Sequence, residues 1–547
     1  MLLQKSARPL CRLRAVMKIG DPMEFLPGNT VGIDLGTTFS ALAQINEEGE
    51  PVPIQNEDGD IETASLILLT ENKHVVIGPN RNRAAMEDPE NVVERIKRKM
   101  GDVGYKRTFD GHEITPEFIS SLILRKLKQD GERILGPIAN AVITVPYYFN
   151  DSRRKATQDA GKIAGLNVID IINEPTAAAL TYAWHRGELG HEMPDKKTRR
   201  VLIYDLGGGT FDSTLVEYNG NHFRVISTDG DVKLGGVDWN DRLARYVCDQ
   251  FKEKTGLDPS ESAQAIQILR NDCDTAKIAL TTKQSTNITC RYEGNRLSVP
   301  VTRELFEDLT KDLLQRTCDT TEFVLEQADM KFAQLDAIVL VGGSTLMPQV
   351  PAMLEKLTGV KPYISPGLDP HTAVAKGAAI HAAILEAKYN PNGKLTDRIQ
   401  KLLKNINQED VNSHALGIVA TDPSKGIVVN NIMIPKNTPL PFSLTRTFKT
   451  NKENQQRISI QVLEGDAPDP KACSLLGKCR ITDLPPDLPK GTLVEVTYSF
   501  DKSGRISVSA REKAGGHEAK IDIERKGTLT ENQVENLTHL AEEYSIE

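Results

Sequence analysis

The sequence predicts a multidomain fold in which an α/β region is followed by an all-β region. Up to residue 388, buried apolar strands alternate with helices, whereas beyond it apolar and polar residues alternate with a period of two. A chain of 547 residues is also too long for a single hydrophobic core. In addition, the motif D-L-G occurs twice in the same strand–turn–strand context, which indicates an internal duplication in the first region.

The composition is that of a globular protein, with 39% hydrophobic and 26% charged residues. A formal net charge of −8 argues against non-specific nucleic-acid binding as the main activity, because that activity needs a basic face. No apolar run approaches the roughly 20 residues of a membrane helix. The seven cysteines are scattered without a metal-binding spacing, so we expect a reducing, cytoplasmic location.

The N-terminal segment, residues 1–29, begins with a basic stretch that has no continuous apolar core. It therefore resembles a targeting peptide only superficially. We expect a disordered extension, or a start codon placed too early, since Met17 and Met23 follow.

The first glycine turn follows a short strand within residues 31–40, VGIDLGTTFS. It carries Asp34, then Gly36, Thr37 and Thr38. A second, similar turn lies further along the chain, so we expect two halves that face each other across a cleft.

The second glycine turn is the most informative stretch, residues 201–212, VLIYDLGGGTFD. A strand delivers Asp205 to Gly207, Gly208 and Gly209, and Thr210 and Asp212 follow. Glycines let backbone N–H groups converge on a phosphate, and a carboxylate beside them suits a hydrated Mg²⁺. Taken alone, the stretch is also compatible with a glycine hairpin and an incidental aspartate.

Between these turns, several residues stand at positions where helices and strands meet. Lys97 belongs to a basic cluster on a polar helix, and such a cluster is usually a solvated face. A buried strand at residues 140–145 ends at Pro146, and a helix over 151–161 follows. Glu174 follows another buried strand, where ligands bind in α/β sheets, although a charge at a helix N-terminus is the simpler interpretation.

Two further glycine turns follow. Gly235 and Gly236 precede a long helical segment that carries Asp274, Lys277 and Thr281 on one face, a pattern that an ordinary solvent-exposed ion pair also explains. A buried strand then ends in the fourth turn, which consists of Gly342, Gly343 and Ser344. Strands and helices continue to an alanine-rich helix at residues 373–387.

The pattern changes after residue 388. Residues 389–411 are polar and read as a linker, and residues 412–527 carry the period-two alternation of an antiparallel β-sandwich. An amphipathic helix over 530–544 lies within the C-terminal segment 528–547. The predicted domains are thus 30–388, 412–527 and this helix.

Six motifs in this order closely resemble the DnaK family of seventy-kilodalton heat-shock chaperones. They are VGIDLGTTFS, AVITVPYYFNDSRRKAT, IINEPTAAALTYA, IYDLGGGTFD, LGGVDWNDRL and IVLVGGSTLMP, and the resemblance covers about residues 30–530. It implies an actin-like, two-lobed ATPase domain, residues 30–388, joined to a β-sandwich that binds extended or unfolded peptide. The chain would be a shortened form.

The resemblance also implies roles for individual residues. Asp34 and Asp205, with Asp212 beside them, would hold Mg²⁺ from opposite lobes. Lys97, Glu174, Asp205 and Thr210 would form the catalytic set. The phosphates and nucleoside would be held by Gly36, Thr37, Thr38, Gly207, Gly208, Gly209, Gly235, Gly236, Asp274, Lys277, Thr281, Gly342, Gly343 and Ser344. Pro146 and Arg154 match positions that relay nucleotide state between domains.

In the β-sandwich, the resemblance places four residues on the strands of the peptide pocket: Ile418, Phe448, Ile458 and Ile460. An apolar slot with pairing backbone edges would give affinity with little demand on peptide sequence. Ordinary sandwich core explains each of them equally well.

Four departures from the family pattern affect the expected coupling and partners. The linker has Asn407, Gln408 and Glu409 where the family has leucines, and a polar linker gains little by leaving water, so coupling would be weakened. Only one helix follows the β-sandwich, so the family's helical lid is missing and bound peptide would exchange quickly. Asp170 replaces a basic residue and would repel the acidic motif of J-domain cochaperones. Leu346 and His371 replace an arginine and an aspartate near the adenine, which would retune nucleotide binding.

These observations favour an ATP-dependent chaperone that binds ATP or ADP with Mg²⁺ and extended peptide, served by a nucleotide-exchange factor. A nucleotide-sensing scaffold with one dedicated partner is the alternative, because the linker is polar and the lid missing. A sugar kinase of the same superfamily ranks lower, since the β-sandwich would then have no role.

Overall fold

A computed structural model describes the chain over residues 23–70, 72–78, 90–102, 104–191, 197–421, 426–450, 453–454, 458–481, 489–501, 506–512, 518–521 and 528–547. The first 22 residues of the predicted N-terminal extension lie outside this range. Its last residues are described and contact the first domain: Met23 and Phe25 pack against the core, and the Leu26 N–H donates to Asn140 Oδ1 at 2.8 Å.

Eleven α-helices occur in the described residues. They are α1 (Pro116–Leu135), α2 (Asp151–Ile163), α3 (Glu174–His185), α4 (Gly236–Thr255), α5 (Ala263–Thr282), α6 (Arg303–Leu309), α7 (Lys311–Gln327), α8 (Gln349–Thr358), α9 (Ala373–Tyr389), α10 (Asp397–Leu403) and α11 (Glu531–Glu543). None of the described helices combines the length and the apolar character needed to cross a membrane.

The strands of the first domain belong to several sheets. They are β1 (Asn29–Asp34), β2 (Phe39–Ile45), β3 (Pro51–Ile54), β4 (Thr63–Ala64), β5 (Leu66–Thr70), β6 (His74–Ile77), β7 (Val92–Glu94), β8 (Arg107–Phe109), β9 (His112–Ile114), β10 (Ile138–Val145), β11 (Asn167–Asn173), β12 (Arg199–Leu206), β13 (Phe211–Tyr218), β14 (His222–Asp231), β15 (Ser285–Tyr292), β16 (Asn295–Thr302) and β17 (Ala337–Val341). The remaining strands are β18 (Asn407–Glu409), β19 (Leu416–Thr421), β20 (Val428–Ile434), β21 (Phe442–Lys449), β22 (Ile458–Glu464), β23 (Ser474–Ile481), β24 (Leu493–Phe500), β25 (Ile506–Glu512), β26 (Glu518–Ile521) and β27 (Ser545–Ile546).

Two sheets built on the same plan form the two lobes of the first domain. In lobe I the strand order is β11-β10-β1-β2-β3, and in lobe II it is β17-β12-β13-β14-β18. In each sheet an antiparallel hairpin, β1–β2 or β12–β13, lies beside a parallel neighbour, β10 or β17. The predicted duplication and fold class are therefore confirmed: an actin-like two-lobed domain followed by an antiparallel β-sandwich.

The alanine-rich helices α3 and α9 pack against each other, and their apolar residues share one core with strands of both lobes. Alanine permits this close approach because its side chain is a single methyl group. At Gly377 of α9 an added Cβ would lie only 1.8 Å from the Ala177 carbonyl oxygen, so the contact is between backbones. The two lobes therefore meet at this helix pair.

The segment between the two domains is structured. Residues 397–403 form α10, and β18 pairs in parallel with β14 at the edge of the lobe II sheet, His222 opposite Asn407 and Arg224 opposite Glu409. We expected a polar linker to gain little by leaving water. The contact between β18 and β14 is made by backbone hydrogen bonds, which do not require apolar side chains.

Just after β18, Val411 is 3% exposed and is held by one side chain. The Tyr147 hydroxyl donates to the Val411 carbonyl at 2.6 Å and accepts from the Val411 N–H at 2.9 Å. Both backbone groups of Val411 are thus satisfied by a single residue of the first domain.

The β-sandwich consists of two four-stranded sheets, β20-β19-β22-β23 and β21-β24-β25-β26, around one apolar core. It lies directly against the first domain. His414 packs edge-on to Tyr148 with ring centroids 4.3 Å apart, and the Lys436 ammonium lies 3.0 Å from an Asp229 carboxylate oxygen.

The predicted C-terminal helix is present as α11, and the structure shows where it binds. It packs on α1 and α2 of lobe I, and β27 then pairs in parallel with β6. Tyr544 is 2% exposed and meets the Phe118 ring edge-on at 5.5 Å. Arg125 donates to the Ala541 carbonyl, so lobe I caps the end of α11.

We expect Tyr147→Phe to release the linker from the first domain. The change leaves the buried N–H and carbonyl of Val411 without partners, which costs about 1–3 kcal/mol for each group. Hydrogen exchange should show faster exchange over residues 407–413. Tyr204→Phe is the matched control, because its hydroxyl donates to Thr317 inside lobe II at 2.7 Å. Equal protection of the linker in both variants would contradict the prediction.

Candidate functional site

A deep cleft of about 260 Å³ opens between the two hairpin turns. Sixteen of the catalytic, metal-binding and nucleotide-binding residues expected from the resemblance line it: Asp34, Gly36, Thr37, Thr38, Lys97, Glu174, Asp205, Gly207, Gly208, Thr210, Asp274, Lys277, Thr281, Gly342, Gly343 and Ser344. The structure thus brings together residues that are up to 310 positions apart in the sequence. Asp212, Gly209, Gly235 and Gly236 lie behind this lining, as the contacts below show.

Acidic side chains from both lobes converge at the base of the cleft. Asp34 ends β1 of lobe I, and Asp205 near the end of β12 pairs across the lobe II hairpin with Asp212. Thr144 donates to Asp34 at 2.9 Å, and the Tyr148 N–H donates to Asp212 at 3.3 Å. All three carboxyl groups therefore lie at strand ends, and Asp34 and Asp212 each accept a hydrogen bond from a neighbouring donor.

Lys97 reaches this acidic group from the 3-10 helix Ile96–Lys99 and donates to Glu174 at the start of α3. Both are buried, with Lys97 4% and Glu174 6% exposed. The sequence placed Lys97 in a basic cluster typical of a solvated face. The cluster is in fact divided, because Lys97 points inward while Lys99 lies at the surface beside Asp102.

The carboxyl groups carry raised pKa values. Burial, and then the charge of Glu174, raise the pKa of Asp34 to about 7 and that of Asp212 to about 8. The same two causes raise the pKa of Asp205 well above its ordinary value. Burial alone would lower the pKa of Lys97, but Glu174 and Asp34 outweigh it and the pKa is raised.

One buried ammonium therefore faces four carboxyl groups. The cluster lacks positive charge, and its donors are carboxylate oxygens, the ligand type that Mg²⁺ prefers. The residues present thus fit a divalent cation.

The first two glycine turns approach each other so closely that only glycine fits at Gly208 and Gly209. A Cβ on Gly208 would lie 1.9 Å from Thr38 Oγ1, and one on Gly209 would lie 2.4 Å from the Thr37 side chain. Thr38 Oγ1 is buried and has no hydrogen-bond partner among the residues that the structure describes. A buried hydroxyl without a partner, beside glycine backbone, fits a phosphate oxygen as its acceptor.

The remaining glycine turns close around the first two. Gly235 lies against Gly209, where an added Cβ would meet the backbone at 2.5 Å, and the Gly236 N–H donates to the Gly207 carbonyl at 3.0 Å. Gly342 has φ 83° and abuts Leu206, a conformation and a contact that both require glycine. Ser344 then donates to the Gly207 carbonyl at 2.9 Å.

At the other end of the cleft, Asp274, Lys277 and Thr281 lie along one face of α5. Lys277 is paired with Asp274 at 2.9 Å and also donates to the Gly236 carbonyl at 3.2 Å. The i, i+3 ion pair expected from the spacing is present. The same residues line the cleft, so the ion pair and a role in the site are compatible.

Two departures from the family pattern also lie in this part of the cleft. Leu346 is 48% exposed and lines it. His371 Nδ1 lies 3.0 Å from a Glu62 carboxylate oxygen, and this hydrogen bond raises the pKa of His371.

Two polar residues at or beside the cleft were not predicted from the sequence. Arg98 donates to the Gly209 carbonyl at 2.9 Å and pairs with Asp238 at 2.6 Å, and so ties lobe I to lobe II. Asn240 donates to Asp274 at 2.8 Å. Arg98 adjoins Lys97 and Asn240 follows the third glycine turn, so adjacency to a predicted site residue was the available signal.

The two residues assigned to the interdomain relay lie beside the linker. Pro146 directly precedes Tyr147, and Arg154 donates to the Tyr147 carbonyl at 3.2 Å and to Asn173 Oδ1 at 2.5 Å. Asp410 accepts from Thr176 at 3.0 Å. Asn173 directly precedes Glu174, and only Pro175 separates Glu174 from Thr176, so the linker's contacts lie next to the acidic cluster in the sequence.

The predicted peptide-pocket residues occupy the sandwich. Ile418 is 4% exposed in its core, and Phe448 and Ile460 are half-buried and pack against that core. Ile458 lies on β22, and its side chain is outside the described residues.

Comparison with known proteins identifies clear relatives. A family model described as "Hsp70 protein" matches residues 30–107 and 101–547. The curated "Chaperone protein DnaK" of Thermotoga petrophila and that of Thermotoga maritima are each 37% identical over 523 residues. Each match covers 94% of this chain and 83% of the relative.

We expect Gly208→Ala to hold the two lobes apart, because the new methyl group meets Thr38. Overpacking of this kind costs about 1–3 kcal/mol, so ADP affinity should fall roughly tenfold or more. Gly207→Ala is the control for the nucleotide-free protein, since its Cβ would meet nothing closer than Thr210 at 3.7 Å. Thermal unfolding without nucleotide and ADP titration measure the two effects. A melting temperature lowered equally in both variants would contradict this reasoning.

Proposed function

The chain belongs to the Hsp70 family, and from that premise we propose that it hydrolyses ATP with Mg²⁺ and uses nucleotide state to control binding of extended peptide. Family membership supports an ATP-dependent chaperone in general terms. The observation that carries the finer proposal is the buried Lys97–Glu174 pair among three further carboxyl groups at the base of a two-lobed cleft.

In the proposed reaction, Glu174 and Lys97 position the attacking water. Lys97 donates to the water oxygen or to the γ-phosphate, and Glu174 keeps the ammonium in place. Phosphoryl transfer passes through a loose transition state, so positioning and charge neutralisation supply most of the rate. Thr210 and the Thr37–Thr38 turn would donate to the phosphate oxygens as charge develops on them.

Asp34, Asp205 and Asp212 are the residues that would hold Mg²⁺. The metal would neutralise charge on the β- and γ-phosphates. These carboxylates come from both lobes, so holding the metal between them also favours the closed cleft.

The nucleoside would lie beyond the phosphates. Asp274, Lys277 and Thr281 would face it from α5, and Gly342, Gly343 and Ser344 from the fourth turn. With Leu346 in place of a charged side chain, this end of the site is more apolar than the family pattern, and the base would rest on a hydrocarbon surface.

We also propose that coupling between domains runs through backbone contacts rather than through apolar linker side chains. Support comes from the pairing of β18 with β14 and from the Tyr147–Val411 hydrogen bonds. Release of β18 exposes polar side chains only, so little apolar area opposes undocking. The docked arrangement is therefore expected to be weaker than in relatives with an apolar linker.

A nucleotide-exchange factor and a reducing, cytoplasmic location complete the proposal. The buried cysteines of lobe II, Cys248, Cys273, Cys290 and Cys318, are thiols rather than disulfides, in keeping with that location. Partnership with a J-domain cochaperone is opposed by Asp170, which the structure places beside His381 at 2.9 Å.

We expect Lys97→Ala to lower ATP turnover about 100-fold or more, because it removes the ammonium group that faces the acidic cluster. Lys99→Ala, in the same sequence cluster, should leave turnover unchanged, since its ammonium is at the surface. Lys97→Ala also leaves Glu174 unpaired, so Asp205→Asn serves as a second, near-isosteric variant. Steady-state phosphate release at saturating Mg²⁺ and ATP is the measurement, and normal turnover in both site variants would refute the catalytic assignment.

The scaffold alternative keeps one observation in its favour. Ile418, Phe448 and Ile460 all contact the apolar core, so they need no peptide to explain their burial. In that case the β-sandwich would bind one dedicated partner through another surface.

A panel of unrelated extended peptides separates the two functions. The chaperone proposal predicts micromolar binding of many peptides with ADP, and weaker, faster binding with ATP. Phe448→Ala should reduce this affinity several-fold, while Leu444→Ala, on the same face of β21, should not. Fluorescence anisotropy with each nucleotide measures both effects. Absence of binding across the panel would favour the scaffold.

A further inference from the structure

Two buried amide side chains of the cleft have no role in the reaction proposed above. Asn240 of α4 and Asn271 of α5 both line the cleft, and they are 4% and 8% exposed. Asn240 Oδ1 and Asn271 Nδ2 have no hydrogen-bond partner among the residues that the structure describes. Buried polar atoms are rarely left unpaired, so two of them in one cleft point to a ligand.

The orientation of the Asn240 amide is fixed by its neighbour on α5. Asn240 Nδ2 donates to Asp274 Oδ1 at 2.8 Å, and a carboxylate can only accept, so the amide cannot be turned around. Asn240 Oδ1 is therefore the atom that remains to accept a hydrogen bond from a ligand. Asn271 lies one helical turn before Asp274, on the same face of α5, and offers a donor.

The position of the two amides indicates which part of a nucleotide they reach. In the proposed function the phosphates lie at the glycine turns, where Lys277 donates to the Gly236 carbonyl at 3.2 Å, and the base lies at Leu346. Along α5, Thr281 lies on the base side of Lys277 and Asn271 on the opposite side. The sugar lies between phosphates and base, and its O2′ and O3′ hydroxyl groups form the edge directed away from both.

A contact between the two lobes lies beside the amides. Arg270 Nε lies 2.9 Å from Asp241 Oδ1, and Arg95 Nη1, from lobe I, lies 3.6 Å from Asp241 Oδ2. Asp241 directly follows Asn240, and both arginines line the cleft. Each arginine faces a carboxylate, so the amides lie beside charges that are already paired. Such surroundings suit a neutral polar group better than an ion.

We propose that Asn240 and Asn271 bind the two hydroxyl groups of the nucleotide's ribose and so select ribonucleotides. Asn240 Oδ1 accepts from one hydroxyl group, and Asn271 Nδ2 donates to the other. A hydroxyl group can both donate and accept, so the ribose diol supplies a partner for each amide. A dideoxy sugar supplies neither. The inference rests on the proposed function, because it requires a nucleotide in the cleft.

The two amides differ in what else they do. Asn240 also holds the carboxylate of Asp274, which faces the nucleoside in the proposed function. Its substitution therefore removes a sugar contact and disturbs a second residue of the site. Asn271 contributes the sugar contact alone, so its substitution gives the cleaner test.

The test is isothermal titration calorimetry of the full-length protein with Mg²⁺ and ADP, 2′-deoxyADP or 2′,3′-dideoxyADP. We expect the wild type to bind the dideoxy nucleotide at least about tenfold more weakly than ADP, with 2′-deoxyADP between them. Asn271→Leu is nearly isosteric. It should weaken ADP about tenfold and leave the affinity for the dideoxy nucleotide within about twofold of the wild type. Thr275→Val, on α5 but outside the cleft lining, is the matched control and should change none of the affinities.

Two further variants guard against misfolding. Asn240→Leu should weaken ADP more than Asn271→Leu does, because Asp274 loses its donor as well. Asn271→Ser keeps a donor on a smaller side chain and should recover part of the ADP affinity that Asn271→Leu loses. Thermal unfolding without nucleotide shows which variants are folded, and the serine variant takes the place of the leucine variant if the latter is not.

The comparison between nucleotides separates sugar binding from a structural role. An equal loss of affinity for all three nucleotides in Asn271→Leu would overturn the proposal, and so would equal binding of ADP and the dideoxy nucleotide by the wild type. An unchanged ratio in Asn271→Leu would assign the selectivity to other residues, and 2′-deoxyADP bound as tightly as ADP would overturn the assignment of two hydroxyl groups. Failure of the wild type to bind any of the nucleotides would instead overturn the proposed function itself.

Discussion

The burial of Lys97 among four carboxyl groups is the constraint on which the ATPase domain depends. Neither lobe contains the whole cluster, because Asp34, Lys97 and Glu174 lie on the lobe I side and Asp205 and Asp212 on lobe II. Charges of one sign at this density are stable only when further positive charge is present. In the function that we propose, a bound metal ion supplies that charge in the closed cleft, whereas in an open cleft water solvates the carboxylates. The proposed coupling would draw on the energetic difference between these two states.

A short path of contacts connects the acidic cluster with the β-sandwich. Asn173 and Thr176, on either side of Glu174, hold Arg154 and Asp410, and Tyr147 holds Val411. Most of these contacts are hydrogen bonds between short, buried groups, which are sensitive to displacements well below an ångström. A shift at the start of α3 can therefore change how β18 and the sandwich lie on the first domain without a large rearrangement between them.

The sequence was most informative where adjacent residues carry the chemistry. The Asp34 and Asp205 turns, the buried strands and the amphipathic helix α11 all follow from local patterns. Lys97 could not be separated from Lys99 in this way, since only the fold decides which lysine is buried, and it took the family resemblance to single it out. The docking of β18 was not expected because backbone pairing is nearly independent of side chains. The cavity where the linker, the first domain and the β-sandwich meet was not foreseen either, because its lining residues are separated by up to 351 positions, from Phe149 to Phe500.

The sheet of lobe I that contains β6 is complete only after the C-terminal strand β27 has been synthesised. It covers β6, and the His74–Ser545 contact joins residues 471 positions apart. At about 5–20 residues per second, β6 therefore remains an uncovered sheet edge for roughly 25–95 s on the ribosome. Nascent lobe I is a template for strand addition during that interval. This member of the Hsp70 family thus exposes, early in its own synthesis, an unpaired strand edge. Chaperones shield such edges on other chains.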